Sequence, residues 1–359
     1  MAKTTRTDQG ATTDAVQEPR ITLGVDTHAE QHVAAALDQR GRLLGTREIP
    51  TTPAGYAALL AWAEVYGGIE RVGLEGAGSY GAGLARWLRR RGMVVIDVDR
   101  PDRRTRRRRG KSDPADAEAA ARAVQGGSAT GQPKAGDGRV EAIRALRLAR
   151  RSAVKARTQA ANQLHALVTT APDALRAQLR PLSSAALVAA AARLRPPACP
   201  RTPEAATKSA LKSIAQRYRA LAREVAALDA QLGRLVAEAA PALVAIKGVG
   251  AETAGALLVA AGDNPERLRS EAAFAHLCGV APVPASSGKT RRHRLSRGGN
   301  REANRALYLL AVGRLGWDER TRAYVDKRVR DGKTKPEIIR CLKRHIAREV
   351  YHALRVAVI

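Results

Sequence analysis

Acidic residues and aromatic residues are both scarce in this chain of 359 residues. Aspartate and glutamate together number 34 against 62 lysines and arginines, which gives a formal net charge of +28. A positive surplus of this size repels itself unless an anionic partner neutralises it, and nucleic acid is the partner that we expect. Aromatic residues make up only 3% of the chain, which argues against a protein that stacks single-stranded bases on aromatic rings.

Cysteines and long apolar runs are also rare. Cys199, Cys278 and Cys341 are far apart in sequence, which favours neither a disulfide framework nor a zinc site. No apolar run free of charge reaches the roughly 20 residues that a membrane span needs. Residues 1–20 are polar and lack the apolar segment of a secretory signal, so we expect a disordered tail there. We therefore expect a cytoplasmic protein with no membrane partner.

The pattern of apolar residues predicts an α/β domain with a mixed sheet over residues 21–126. Three short apolar runs separated by turn-like breaks are typical of consecutive strands. Helical and strand-like segments then alternate, which favours helices packed on a sheet. The predicted strands of the first part cover residues 21–26, 32–38 and 43–49.

Residues 127–139 form a glycine-rich predicted linker, and the remaining chain is predicted to be helical. Residues 140–240 contain two long segments of helical spacing on either side of a proline-rich corner, which indicates a helical hairpin or coiled-coil arm suited to dimerisation. Residues 241–359 are expected to form a C-terminal α-helical domain. Within it, residues 246–250 resemble a helix-hairpin-helix turn that binds DNA phosphate, although an ordinary glycine-containing connection is the alternative.

Four carboxylates predict a metal site in the α/β domain. Asp26 and Glu75 end predicted strands, and Asp113 and Asp116 lie three residues apart at the start of a predicted helix. Carboxylates at strand ends share one edge of a sheet, and residues three apart share a helix face. If the four converge, they repel one another unless a cation such as Mg²⁺ joins them. Two such ions support phosphodiester cleavage.

Each of these acids also has an ordinary structural interpretation. An aspartate after a strand is commonly a turn residue, and an aspartate followed by proline and a second acid is a good helix start with Asp113 as the cap. His28 follows Asp26 closely and is expected either to orient water or phosphate or to cap a turn.

Basic segments predict the surfaces that contact nucleic acid. Residues 100–111 hold eight basic side chains, and residues 285–299 form a basic loop that carries Ser286 and Ser287. A serine hydroxyl beside guanidinium groups can attack a phosphodiester, although serines are also common loop residues. His293 is a candidate for proton transfer in the same loop. The expected contacts to nucleic acid are Arg106, Arg107, Arg108, Arg109, Lys111, Lys247, Gly248, Gly250, Lys289, Arg291, Arg292, Arg294, Arg297 and Asn300.

Three motifs carry a resemblance to a known family. Residues 24–28, 73–75 and 111–117 resemble the RuvC-like, RNase H-type nuclease domain of DEDD insertion-sequence transposases, which are described as bridge-RNA-guided recombinases. The resemblance extends over about residues 20–355. It implies an RNase H-like N-terminal domain in which the four acids bind catalytic Mg²⁺ or Mn²⁺. Those acids are Asp26, Glu75, Asp113 and Asp116.

The C-terminal loop resembles the serine-bearing segment of the same family. By position the resemblance implies Ser287 as the nucleophile that forms a phosphoserine link with DNA, with Ser286 as the alternative. It also implies double-stranded donor and target DNA, a structured guide RNA and a homo-oligomer, either a dimer or a tetramer, in a prokaryotic cell. Two other classes stay open, a junction-resolving nuclease that uses water and a non-catalytic architectural binder of DNA or RNA.

Overall fold

The computed structural model of the chain describes residues 19–98, 112–288, 293–294, 296 and 298–356. The chain divides into two compact units, residues 1–134 and residues 135–359. Several predicted nucleic-acid contacts lie outside the described residues, as do residues 1–18 of the predicted tail. These contacts are Arg106, Arg107, Arg108, Arg109, Lys111, Lys289, Arg291, Arg292 and Arg297.

The N-terminal unit contains a mixed five-stranded sheet, as the sequence pattern predicts. Its strand order is β3-β2-β1-β4-β5, in which β1 is antiparallel to β2 and parallel to β4. The elements are β1 (Arg20–Thr27), β2 (Gln31–Leu37), β3 (Leu43–Pro50), α1 (Pro53–Glu64), β4 (Gly68–Glu75), α2 (Ala82–Arg89), β5 (Val95–Val98) and α3 (Asp113–Gln125).

Helices cover both faces of this sheet. Leu23 and Val25 of β1 share a core with side chains of α1 and α2, whereas Val33 of β2 packs with Ala117 of α3. Because successive side chains of a strand alternate between faces, residues 24 and 26 of β1 lie on the α3 side. Helices on both faces bury β1 from its second residue to its last, including Thr22 and Asp26 on the α3 side.

Where the structure describes the C-terminal unit, its regular elements are helices and one short ribbon, in which β6 and β7 pair antiparallel. Its elements are α4 (Arg139–Thr169), α5 (Asp173–Leu179), α6 (Ser184–Arg193), α7 (Pro203–Ala239), α8 (Pro241–Val244), α9 (Ala251–Ala261), a 3-10 turn (Pro265–Arg267), α10 (Glu271–Leu277), β6 (Val283–Pro284), β7 (His293–Arg294), α11 (Arg301–Trp317), α12 (Glu319–Arg330) and α13 (Lys335–Arg355).

The two long helices α4 and α7 pack antiparallel. Arg150 of α4 forms an ion pair with Asp229 of α7, and further along Gln163 accepts a hydrogen bond from Arg217. At the far end of this pair, α5 and α6 pack with α4 and α7 around a second, smaller apolar core. At the near end, Ile143 belongs to the core that α9, α10, α11 and α13 build. The domain boundary predicted at residue 240 stays a prediction.

A charge network centred on one buried arginine joins α4 to the C-terminal helices. Arg147 is 5% exposed, and its guanidinium lies 2.7 Å from Glu252 of α9 and 3.2 Å from Glu302 of α11. An arginine can bind two carboxylates at once because its donors form a planar fork.

None of the described helices combines the length and apolar character that a membrane-spanning segment requires.

Candidate metal centre and serine loop

Asp26 and Glu75 lie side by side in the sheet. β1 and β4 are parallel neighbours, and their register pairs Asp26 with Glu75 and Gly24 with Gly73. Val25 and Leu74, between these pairs, point into the core on the opposite face of the sheet. Both carboxylates therefore project from the face that α3 covers.

The glycine pair allows α3 to lie directly on the sheet. A Cβ atom at Gly24 would lie 2.1 Å from the carbonyl oxygen of Ala117 and 2.2 Å from the nitrogen of Ala121. A Cβ at Gly73 would lie 3.0 Å from the carbonyl oxygen of Ala120. Only glycine accommodates a helix backbone at the first of these distances without a shift. The same pattern, a glycine followed two residues later by an acid, occurs in both strands. The glycine lets the helix approach the sheet, and the acid places a carboxylate beside it.

The N-terminus of α3 brings two further acids to this region. Its N-cap is Ser112, so the alternative in which Asp113 acts as the cap is wrong. Asp113 instead directs its Oδ2 to within 3.5 Å of His28 Nε2, and Asp116 is 5% exposed in the same first turn.

His28 completes a compact set of metal-binding groups. Its Nε2 lies 3.2 Å from Asp26 Oδ2, and one ligand atom from each of Asp26, His28 and Asp113 lies within 4.8 Å of the others. Sequence reasoning considered His28 for water or phosphate but not as a ligand. The spacing of Asp26 and His28 could have indicated this role, because residues two apart at a strand end point to the same side.

His32 holds the backbone of His28 through a hydrogen bond. The His28 N–H donates to His32 Nδ1 over 3.3 Å, and the buried His32 ring stacks on Tyr56 at 6.0 Å. Burial lowers the pKa of His32, so the neutral ring that accepts this hydrogen bond is favoured.

The electrostatics of Asp26 suit a cation. Burial raises the pKa of Asp26, His28 opposes this shift, and the neighbouring acids Asp116 and Asp113 raise it further. A buried carboxylate among like charges is costly to ionise unless a positive charge binds it. Two carboxylates and an imidazole are donors that Mg²⁺, Mn²⁺ and other divalent ions accept.

Ser286 and Ser287 are exposed in the loop that joins β6 to β7. Part of the predicted basic loop is therefore a ribbon. The backbone segments before β6 and after β7 pack closely at Gly279 and Gly299. A Cβ atom at Gly299 would lie 2.5 Å from the nitrogen of Gly279. Asn304, which sequence reasoning missed, donates from Nδ2 to the carbonyl oxygens of Cys278 and Gly279 at 2.9 and 3.0 Å.

The other described contact candidates have varied surroundings. Lys247 is exposed, and its ammonium lies 4.5 Å above the Trp317 ring, while Gly248 has a φ of +90°. Arg294 is exposed on β7. Asn300 caps α11 by accepting hydrogen bonds at 3.0 Å from the Glu302 and Ala303 backbone. The nucleic-acid roles of these residues stay predictions.

Two family profiles match this chain. One, described as a transposase and built on the DEDD transposases of IS110 elements, matches residues 23–171. The second, described as a transposase of the IS116/IS110/IS902 family, matches residues 240–326.

A curated relative agrees with both matches. It is the insertion element IS110 uncharacterized 43.6 kDa protein of Streptomyces coelicolor, and 147 aligned residues are 34% identical. The alignment covers 40% of this chain and only 36% of the relative. The two profiles cover about two thirds of the chain and name the same kind of element. The chain therefore belongs to the IS110 family of transposases.

Proposed function

We propose that this protein cuts and rejoins DNA as a transposase, with an RNase H-like N-terminal domain that binds a divalent metal ion. The observation that carries the proposal is the set formed by Asp26, His28 and Asp113, whose ligand atoms lie within 4.8 Å of one another. Glu75 is the register partner of Asp26, and Asp116 lies in the same helix turn as Asp113. This donor set fits Mg²⁺ or Mn²⁺.

The residues of the centre have distinct tasks in this proposal. Asp26 and Asp113 hold the ion, Glu75 and Asp116 add negative charge, and His28 contributes a nitrogen donor. A bound divalent ion would neutralise these acids and polarise a phosphodiester. Gly24 matters equally, because the contact of α3 with the sheet places Asp113 near Asp26.

Ser287 is the proposed nucleophile. Its Oγ forms a bond to phosphorus while one phosphodiester P–O bond breaks, and the leaving deoxyribose oxygen gains a proton as a free hydroxyl. The reverse reaction, with a hydroxyl of another strand, releases the serine and joins the strands. One phosphate ester replaces another, so the exchange needs no external energy source. The exposure of Ser287 in the β6–β7 loop supports this role.

The decisive experiment for the serine compares Ser287→Ala with Ser286→Ala. We expect the wild-type protein and Ser286→Ala to form a covalent adduct with end-labelled DNA that survives denaturing electrophoresis, and Ser287→Ala to form none. Adducts lost only in Ser286→Ala would transfer the role to Ser286. Unchanged cleavage and no adduct in any variant would favour a nuclease that uses water.

The metal centre is tested by binding as well as by activity. Asp26→Asn and Asp113→Asn are expected to weaken Mn²⁺ binding, measured by electron paramagnetic resonance, and to abolish DNA cleavage. Glu118→Gln is a matched control, because Glu118 lies on α3 but pairs with Arg122 at 2.6 Å on the same helix. If Asp26→Asn and Asp113→Asn process DNA normally, an architectural binding role replaces the catalytic one.

The proposed partners are donor and target DNA, a structured guide RNA and further copies of the chain. The net charge of +28 supports a nucleic-acid partner. Sequencing of RNA that co-purifies with the protein tests the guide, and we expect one discrete species with segments complementary to DNA at the ends of the element. Light scattering with and without that RNA tests for a dimer or tetramer.

A further inference from the structure

A cavity of about 400 Å³ lies in the C-terminal unit between β7, the turn at residues 279–282, α12 and α13. Among the described lining residues, Glu337 is the only acid. Its Oε2 accepts hydrogen bonds from the backbone N–H and hydroxyl of Thr334 at 2.9 and 2.8 Å. The cationic side chains of the wall are Arg294, Arg328, Lys333, Arg340, Lys343 and Arg344.

Carboxylates inside the unit compensate only some of these charges. Arg328 pairs with Asp331 at 3.0 Å, and Arg344 pairs with Glu271. Arg340 comes no nearer than 4.0 Å to Glu337. For Lys333 and Arg294, no ion pair occurs with any residue that the structure describes. The cavity therefore keeps a surplus of positive charge.

Burial, and after it the neighbouring arginines, disfavour the charged forms of two basic groups of the wall. Lys343 is 7% exposed and donates from Nζ to Asn304 Oδ1 over 3.0 Å. Burial lowers the pKa of Lys343, and Arg340 lowers it further. Burial also lowers the pKa of His345, with Arg348, Arg328 and Arg344 as the next causes. The repulsion among these neighbouring positive charges is relieved when an anion binds.

We propose that this cavity binds a phosphodiester group of the DNA strand, held by Arg340, Lys333 and Arg294. Guanidinium and ammonium groups bind phosphate oxygens through charge-assisted hydrogen bonds, and the volume accommodates a phosphate with its flanking sugars. We choose DNA as the occupant because Arg294 lies on β7, which directly follows the loop that carries Ser287. This assignment rests on the proposed function of that loop.

The test uses full-length Arg340→Gln and Lys333→Gln, with Arg355→Gln as the matched control. Arg355 is an exposed arginine at the end of the same helix and does not line the cavity. Binding of a DNA duplex is measured over a range of salt concentrations. We expect each cavity variant to reduce the slope of log affinity against log salt by about 1 and to weaken binding to all duplex sequences alike. Arg355→Gln should keep the wild-type slope.

A second readout uses inorganic phosphate alone. At equal ionic strength, phosphate should raise the wild-type melting temperature more than acetate does, and Arg340→Gln should lose that difference. Equal salt slopes for Arg340→Gln and Arg355→Gln would overturn the proposal. So would a loss of RNA binding with unchanged DNA binding. Neither readout needs catalysis. Phosphate binding in the cavity, together with a wild-type protein that never forms a covalent adduct with DNA, would therefore reject the serine mechanism alone.

Discussion

Gly24 and Ala117 lie so close that a Cβ atom on the glycine would meet the alanine carbonyl oxygen at 2.1 Å. This contact joins the central strand to α3 and sets the position of the helix turn that carries Asp113 and Asp116. We therefore expect Gly24→Ala to displace α3, to destabilise the protein by about 1–3 kcal/mol or more, and to weaken Mn²⁺ binding. Urea unfolding and paramagnetic resonance measure the two effects.

Gly68→Ala is the control for that substitution. Gly68 lies in the same sheet, and the nearest atom to its added Cβ is the carbonyl oxygen of Pro19 at 4.0 Å. Metal binding should be unchanged in this variant. If Gly24→Ala binds Mn²⁺ as tightly as Gly68→Ala does, the close approach of α3 does not position the centre.

Asp26 should make stability depend on pH in a defined direction. Because burial raises its pKa above 3.8 in the folded state, the folded protein binds more protons than the unfolded chain between 3.8 and the raised value. The contribution of Asp26 to stability is complete below 3.8 and is lost as pH rises through the folded pKa. Without metal, Asp26→Asn should therefore be more stable than wild type at neutral pH.

Denaturant titrations over a pH series measure this difference between wild type and Asp26→Asn. The difference in the free energy of unfolding between the two proteins should vanish at low pH. At neutral pH, Mn²⁺ should reduce the difference because it stabilises only the wild type. A variant that is less stable than wild type at neutral pH in a chelator would contradict the burial cost assigned to this carboxylate.

His28 should tune metal preference. An imidazole nitrogen favours transition metals, whereas Mg²⁺ prefers oxygen ligands. His28→Ala is expected to weaken Mn²⁺ binding more than Mg²⁺ binding and to remove the nitrogen coupling from pulsed paramagnetic resonance spectra of bound Mn²⁺. Equal losses for both ions, with the nitrogen signal intact, would mean that His28 does not bind the metal.

Arg147 should contribute strongly to the stability of the C-terminal unit. Its substitution by methionine leaves Glu252 and Glu302 without their buried partner, although Arg150 and Arg151 also contact them. We expect a loss of about 1–3 kcal/mol in urea unfolding, less than for a fully buried pair. Arg144→Met is the control, since Arg144 pairs with Glu141 on the exposed face of its own helix.

The cysteines should report on the C-terminal core. Cys278 is buried, and burial raises the pKa of its thiol to about 12, whereas Cys199 is exposed. Because the thiolate is the reactive form, iodoacetamide should modify Cys199 while Cys278 stays intact until denaturant is added. Peptide mass spectrometry measures both sites. Equal labelling rates in the folded protein would show that this core opens readily.

Sequence patterns predict the elements that bury an apolar face. The first three strands follow their predicted positions closely because their apolar pattern is strong. Helices α4 and α7 are the two long segments of helical spacing expected around the proline-rich corner. Residues 241–359 were expected to be helical, but no separate helix was predicted at α12. This helix buries only Thr321, so it has no apolar stripe to recognise. Helices α5 and α6 were missed because they are short and lie beside a proline-rich corner.

The candidate site was predictable only in part. The four acids were identified by their positions at element ends, and Asp26 and Glu75 do lie in register. That His28 points back at Asp26 depends on the strand end and on support from His32, which no local pattern encodes. The link from Asn304 to Lys343 joins residues 39 apart and arises only in the folded protein.

The contact between Gly24 and α3 also limits how this gene can change. Every single-base substitution that alters the amino acid encoded by a glycine codon introduces a side chain or a stop signal. Each such side chain brings the same first carbon atom to the helix backbone, whatever its polarity or size. Position 24 therefore has no conservative missense replacement, and many different mutations there would disturb the same contact.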